Sequence, residues 1–437
     1  MKRIEQRASA ALVLAGIVMA LLLFFVGRLA VKGEKWAAYS ANRYVYTDGV
    51  LDGITVTDRN GVVLAESRDG SYHYAEDNAV RTASVHALGD FRGFIGSGVL
   101  SRYTGALMGY SLVGGTPGGE MNAALTLDAR LQTAAYNALW GRSGAVLVMN
   151  YETGEILCMV SSPGYDPNYD PDMSIDGLFI NRCTGASFVP GSVFKLVTLA
   201  AAYETVPDLR ERSFWCGHEL AMDGTEITCT GWHADQTVEE ALANSCNCAF
   251  AEIAGLVGAE TIGKYAEKYG LSGTMKLDGM VTAAGRYDVA PAHSAYEAWS
   301  GIGQFNDMVT PYAMMRFCAA IAGGGTVQEP TLLLGEDNGK TRLMEPETAE
   351  FLGSCMNYNV VWAYGAGIFP GLDLCAKTGT AELGDGTTHA WFVGYLQSGA
   401  PLAFAVMLER GGGGLSQAGA VANTVLQQAS EYYAENG

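Results

Sequence analysis

Gly144-Ala-Val-Leu-Val-Met-Asn-Tyr-Glu-Thr-Gly-Glu-Ile-Leu-Cys-Met-Val160 is a pair of apolar runs on either side of a reversal. Residues 144–149 and 155–160 carry the β-branched and aliphatic side chains that suit strands, and Glu152-Thr-Gly154 supplies the turn, so the stretch predicts a β-hairpin. Its partners lie far down the chain. Residues 373–381, 390–396 and 402–408 are three more strand candidates, and a helix over 417–433 closes the chain. Before the hairpin, Thr126-Leu-Asp128 can cap a helix over 129–139. Between the two strand groups the segments read mainly as helices, among them 192–203, 238–256 and 259–269. Two strands, a helical block, three strands and a helix predict an α+β fold. One five-stranded antiparallel sheet is closed by both ends of this region, with an all-helical lobe inserted.

Working outward, residues 8–27 are twenty positions without a charge, rich in Leu, Val and Phe. At helical rise that is about 30 Å, enough to cross a bilayer core and longer than the apolar part of a cleaved signal peptide, so an uncleaved anchor is expected. Lys2, Arg3 and Arg7 precede the span and Arg28, Lys32 and Lys35 follow it, which tilts only slightly towards a cytoplasmic N-terminus. The segment after the anchor is mixed: 54–58 alternates like a half-buried strand and runs into an Arg59-Asn60-Gly61 turn, and the Gly-rich stretch 113–119 reads as a loop. No catalytic cluster is visible there. The expected division is a short cytoplasmic tail (1–7), a transmembrane anchor (8–31), a non-catalytic N-terminal domain (32–124) and a larger C-terminal domain (125–437).

The 437 residues leave room for a sizeable core, and 49% hydrophobic against 17% charged residues excludes a disordered chain. A net charge of −19 argues against nucleic acid, which demands a basic footprint. An anionic partner would need a local positive group.

Three short strings carry the chemistry. Ser192-Val-Phe-Lys195 follows Pro190-Gly191 and opens an apolar helical run, so Ser192 stands at a helix N-terminus with Lys195 one turn on. Serine becomes a nucleophile only with a base, and lysine serves if burial or a second cation, here Lys377, lowers its pKa. Ser245-Cys-Asn247 sits where residues 239–244 give way to 246–253, a loop or helix end, and offers a hydroxyl that can relay a proton to a leaving amine and an amide that can hold a substrate backbone. Lys377-Thr-Gly-Thr380 sits in an extended apolar stretch where a peptide could add as a strand. Lys377 supplies charge, the Thr378 and Thr380 hydroxyls can bind a carboxylate, and Gly379 permits close approach. The backbone N–H groups of Ser192 and Thr380 would form the oxyanion hole. His389 has no obvious part in lysine-based chemistry and reads as structural.

Cys158, Cys183, Cys318, Cys355 and Cys375 sit in apolar settings and read as buried small hydrophobes. Cys216 and Cys229 flank a loop with His218 and His233 nearby. Reduced thiols, a loop-closing disulfide and a zinc site all remain open there. The spacing is not a standard zinc pattern, and no metal or organic cofactor is expected.

The three strings resemble the transpeptidase domain of class B penicillin-binding proteins, monofunctional members of the serine acyltransferase and β-lactamase superfamily. So do Leu125-Thr-Leu-Asp128 with Leu131-Gln132, Tyr151-Glu-Thr-Gly-Glu-Ile156, Ser161-Ser-Pro-Gly-Tyr-Asp-Pro-Asn168, Asn181-Arg182, Gly303-Gln304, Thr310-Pro311 and Ala390-Trp-Phe-Val-Gly394. The resemblance covers roughly residues 125–435 and more faintly 53–65. It departs at Asp52-Gly53, where the family usually has Arg-Gly, and at Leu100, where it usually has Glu. It implies the penicillin-binding transpeptidase fold and acylation of Ser192 by a D-Ala-D-Ala stem peptide, with loss of D-Ala and transfer to an acceptor amine. It implies as well slow-turnover acylation by β-lactams, an extracytoplasmic site in the service of cell shape or division, and a polytopic glycan polymerase of the shape, elongation, division and sporulation type as partner.

A D,D-carboxypeptidase or β-lactamase of the same superfamily would differ only in passing the acyl group to water. A class A β-lactamase would carry a deacylating Glu roughly 35–40 residues after its second motif. Residues 281–292 hold Asp288 but no Glu. A β-lactam sensor or a silent cell-wall scaffold is a rival of another class. The short tail before residue 8 argues against the sensor, and the intact motifs argue against the scaffold.

Overall fold

The structure, a computed structural model, describes residues 2–37, 46–47, 50–51, 53–68, 70–102, 111–114 and 121–436. Asp52 and all but the first two residues of the 113–119 loop lie outside them.

The five predicted strands are present: β1 (Gly144–Asn150), β2 (Ile156–Ser162), β3 (Leu374–Glu382), β4 (Thr388–Leu396) and β5 (Leu402–Leu408). They form one sheet in the order β3-β4-β5-β1-β2, antiparallel throughout. The hairpin thus completes a sheet begun by the last strands of the chain. Both faces are covered. Side chains such as Val146, Val148, Phe392, Phe404 and Val406 pack with the helices Ala129–Leu139 and Ala420–Asn436. On the opposite face, Leu147, Met149, Trp391, Val393 and Met407 share a core with the helix Pro311–Ala322 and the inserted lobe, which is not all-helical as expected but also carries short antiparallel pairs such as Glu219–Met222 with Thr225–Thr228. Double coverage explains why these strands read as continuous apolar runs rather than the alternation usual in antiparallel sheets.

The helix predicted over 129–139 is capped by Asp128, whose Oδ1 accepts from Arg130 N at 2.8 Å. It also holds the N-terminal segment. Buried Asp58 accepts from Ala129 N at 3.0 Å through Oδ2 and from Asn60 N and Val62 N at 2.8 Å through Oδ1. One carboxylate therefore shapes the Arg59-Asn60-Gly61 turn and satisfies a free N–H at a helix start. Beyond the turn, strands Ser71–Tyr74, Val63–Arg68, Ile54–Thr57 and Met121–Ala124 make a second sheet in that order, with the last pair parallel. Ile54, Val56 and Leu64 share the main hydrophobic core.

At the other end, Lys2–Ala37 is a single helix, and its stretch Arg3–Gly33 is long and apolar enough to cross a membrane. Leu12, Phe24 and Phe25 are exposed on it.

Two expected helices differ in detail. The run over 192–203 begins as a 3-10 turn, Gly191–Phe194, and becomes α-helical over Lys195–Thr205. The single helix expected over 238–256 is two helices, Val238–Ala243 and Asn247–Val257. The break comes at Ser245, whose φ of 51° lies in the left-handed region that a helix cannot contain. Apolar periodicity runs through the break, but the loop or helix end read at Ser245 and Asn247 falls where the two helices part.

Candidate active site

The site is assembled from three segments brought to one edge of the sheet. β3 is the edge strand, and the 3-10 turn bearing Ser192 packs against it. Two glycines permit that approach. A Cβ on Gly379 would stand 2.9 Å from Pro190 O and 3.1 Å from both Val193 Cγ1 and Trp391 Cβ. Gly191 has φ +56°, and a Cβ there would meet Ala381 Cα at 2.9 Å. Gly379 is therefore closely approached, as expected, but by the chain segment that carries Ser192.

The second segment is the helix break. Thr237 and Glu240 form a reciprocal cap on the first helix, and Cys246 Sγ accepts from Ala249 N at the start of the second. Between them the chain turns through Ser245. Left-handed backbone at a residue with a side chain costs of order 1–3 kcal/mol and persists where the surroundings hold it. Lys195 does so directly: its Nζ donates to Ser245 O at 2.6 Å. It also donates to Ser245 Oγ at 3.3 Å and to Asn247 Oδ1 at 2.8 Å. These three contacts match the three hydrogens of an ammonium, and Ser192 Oγ is not among its acceptors. Asn247 in turn donates from Nδ2 to Thr228 O at 2.9 Å, leaving one amide hydrogen for a ligand.

Lys377 reaches the same hydroxyl from the sheet. Its Nζ donates to Ser245 Oγ at 3.0 Å and to Thr378 O at 3.0 Å. Two lysines with no exposed surface thus converge on one serine. Burial lowers the pKa of Lys195 from 10.5 to about 7. Burial, and then the charge of Lys195, hold Lys377 well below the ordinary range. Near neutrality the pair shares fewer than two protons, so a free amine is available within the site.

Ser192, Ser245, Asn247, Thr378 and Thr380 line a cleft of about 490 Å³. Its remaining walls include Thr228, Thr230, Trp299, Gln304, Phe305 and Glu382. Lys195 and Lys377 lie behind this surface. The structure therefore brings all eight sequence-selected positions together, Ser192, Lys195, Ser245, Asn247, Lys377, Thr378, Gly379 and Thr380. Tyr364, absent from the sequence reading, supports β3 by accepting from Thr378 N at 3.0 Å. Nothing in its local sequence marks it. The aromatic walls Trp299 and Phe305 were equally silent, since each sits in an ordinary apolar context. His389 accepts from Arg410 N at 3.3 Å and packs edge-on against Phe188. Burial lowers its pKa, consistent with a structural part.

All nine cysteines are free and buried, so no disulfide joins Cys216 to Cys229. The five in apolar settings are buried as expected.

Comparison with known proteins gives the same picture at three levels. The family model described as the penicillin-binding protein transpeptidase domain matches residues 144–428. The peptidoglycan D,D-transpeptidase PbpA of Mycobacterium tuberculosis is 29% identical over 340 residues, 68% of this chain and 69% of that protein. The D,D-transpeptidase domain of a peptidoglycan glycosyltransferase from Eggerthella lenta superposes with a TM-score of 0.69 at 26% identity, covering 87% of this chain and 98% of that one. Penicillin-binding protein A from M. tuberculosis, solved as a penicillin G acyl-enzyme, shares the fold with a TM-score of 0.70 at 23% identity, covering 86% and 99%.

Proposed function

The chain belongs to the class B penicillin-binding proteins and is a serine-type peptidoglycan D,D-transpeptidase, and on that premise we propose that Ser192 is its nucleophile and Lys195 its base. The observation that carries the assignment is the convergence of Lys195 and Lys377 on Ser245 Oγ, at 3.3 and 3.0 Å, beside a cleft lined by Ser192.

In the proposed reaction Ser192 Oγ attacks the carbonyl carbon of the penultimate D-Ala, and its proton passes to neutral Lys195 Nζ. The carbonyl oxygen takes the negative charge and is held by the N–H groups of Ser192 and Thr380; loss of one such donor costs about 2.7–4 kcal/mol. Collapse breaks the C–N bond, and the proton reaches the leaving D-Ala amine through Ser245 Oγ. The acyl ester then meets an acceptor amine, whose proton returns by the same route as the Ser192 ester bond breaks. Lys377 keeps Ser245 oriented, and Thr378 and Thr380 receive the donor carboxylate at the cleft surface. β-Lactams enter as donor mimics and acylate the same oxygen.

The division into a tail (1–7), an anchor (8–31), a non-catalytic domain (32–124) and a transpeptidase domain (125–437) belongs to this proposal. So do an extracytoplasmic site on a single-pass anchor and a polytopic glycan polymerase as partner. Continuity of Ile54, Val56 and Leu64 with the main core supports a non-catalytic domain that bears on the catalytic one. The test is intact-mass analysis with benzylpenicillin, followed by a thioester stem-peptide analogue with and without a D-amino acid. A single adduct on Ser192 and D-amino-acid-dependent product are expected. An adduct mapped to another residue would overturn the assignment.

A further inference from the structure

Cys216, the pair Cys229 and His233, and Cys246 come from three separate places in the chain, yet their ligand atoms all lie within 4.8 Å of one another. Cys216 ends the strand Phe214–Cys216 and faces Ala234 on the strand Ala234–Gln236, which places His233 beside it. Cys229 follows the strand Thr225–Thr228. Cys246 caps the helix Asn247–Val257. His218, the other histidine near Cys216 in sequence, is not in the group.

We propose that these four side chains are a zinc site of Cys3His type that holds one wall of the cleft in place. A tetrahedral zinc with thiolates at about 2.3 Å separates two sulfurs by about 3.8 Å, and a sulfur from an imidazole nitrogen by about 3.5 Å. Cys229 Sγ and Cys246 Sγ are 3.8 Å apart, and Cys229 Sγ and His233 Nδ1 are 3.6 Å apart. Two edges of the group thus already have the dimensions of the tetrahedron. The thiols also carry the outer hydrogen bonds that metal thiolates use: Asn247 N donates to Cys229 Sγ at 3.3 Å and Ala249 N to Cys246 Sγ at 3.4 Å. Three soft sulfurs and an imidazole select zinc over magnesium or calcium. A disulfide would need the sulfurs at about 2.05 Å.

The position gives the metal its consequence. Cys246 lies between Ser245 and Asn247, and Cys229 lies between Thr228 and Thr230 on the cleft wall. Binding would tie the segment 228–233 to the helix start that presents Ser245. Metal loss would loosen both.

The test uses the full chain in detergent, prepared without chelator. Elemental analysis should find one zinc per chain, and exchange with cobalt(II) should give the intense visible absorption of a tetrahedral thiolate complex. Cys246→Ser should lower zinc affinity by more than the roughly 10–100-fold typical of removing an outer partner. Unchanged zinc affinity in that variant would overturn the ligand set. A wild-type chain without zinc that yields only pale octahedral cobalt spectra would overturn the site. So would a Cys229–Cys246 disulfide in freshly purified protein mapped without reductant. The cobalt spectrum is read on wild type, so misfolding of a variant leaves the proposal open to refutation. Penicillin labelling of the same sample reports on Ser192 separately.

Discussion

Replacing Lys195 by arginine keeps a positive charge in reach of Ser245 and Asn247 but removes a group that loses its proton near neutrality. Burial brings Lys195 from 10.5 to about 7, so about half the molecules hold the free amine at pH 7. An arginine starts from about 13.8, and the same burial would leave it at about 10.3, with only about one molecule in two thousand neutral at pH 7. Acylation of Lys195→Arg should therefore fall about a thousandfold from base loss alone. The pH dependence carries a second signature. With the neutral amine as the proposed reactive form, wild-type acylation should climb with pH through about 7 and then level off. The variant's rate should still rise tenfold per pH unit between 7 and 9. The assay is stopped-flow or gel-based acylation by a fluorescent penicillin from pH 5.5 to 9.5, with thermal unfolding as the control for folding. A variant within tenfold of wild type at pH 7, or a flat wild-type profile between pH 6 and 8.5, would refute Lys195 as the base.

Gly379→Ala places a methyl 2.9 Å from Pro190 O, so calorimetry should show destabilisation of about 1–3 kcal/mol together with slowed acylation as the Ser192 turn is displaced. Lys377→Ala removes a buried donor to Ser245 rather than a group on the cleft surface, so it should slow carboxylate-bearing and esterified donor analogues alike. A loss confined to the carboxylate form would assign Lys377 to recognition. Asp307 has no exposed surface, and neither carboxylate oxygen has a hydrogen-bond partner among the described residues. Burial, reinforced by Asp288, raises its pKa well above the ordinary value. The native state then holds a proton that the unfolded chain releases, so stability falls as pH rises above about 4, by up to about 1.4 kcal/mol per pH unit until the native pKa is reached. Asp307→Asn should remove that slope and raise the melting temperature at pH 7–8; an unchanged pH–stability curve would show that Asp307 is not the source.

Much was legible in local pattern because the information is local. The hairpin, the helix Ala129–Leu139 with its Asp128 cap, and the strand Leu402–Leu408 follow from runs of side chains and turn residues a few positions apart. The three strings pointed to the proposed reacting groups because Ser-x-x-Lys places its pair on neighbouring positions of one turn. The order of the sheet, the convergence of Lys195 and Lys377 on Ser245, and the cleft walls Trp299 and Phe305 depend on contacts between residues 50 or more positions apart, for which no short pattern stands. At Ser245 the string itself suggested a loop or helix end, but the left-handed backbone there, held by a buried lysine, belongs to the tertiary structure. The four-residue sulfur and imidazole group is the clearest case. Spacing suggested Cys216 and Cys229 with His218 and His233 nearby, and of the two histidines only His233 joins the group. Cys246 read only as the middle of a Ser-x-Asn string, and packing alone turned it towards Cys229.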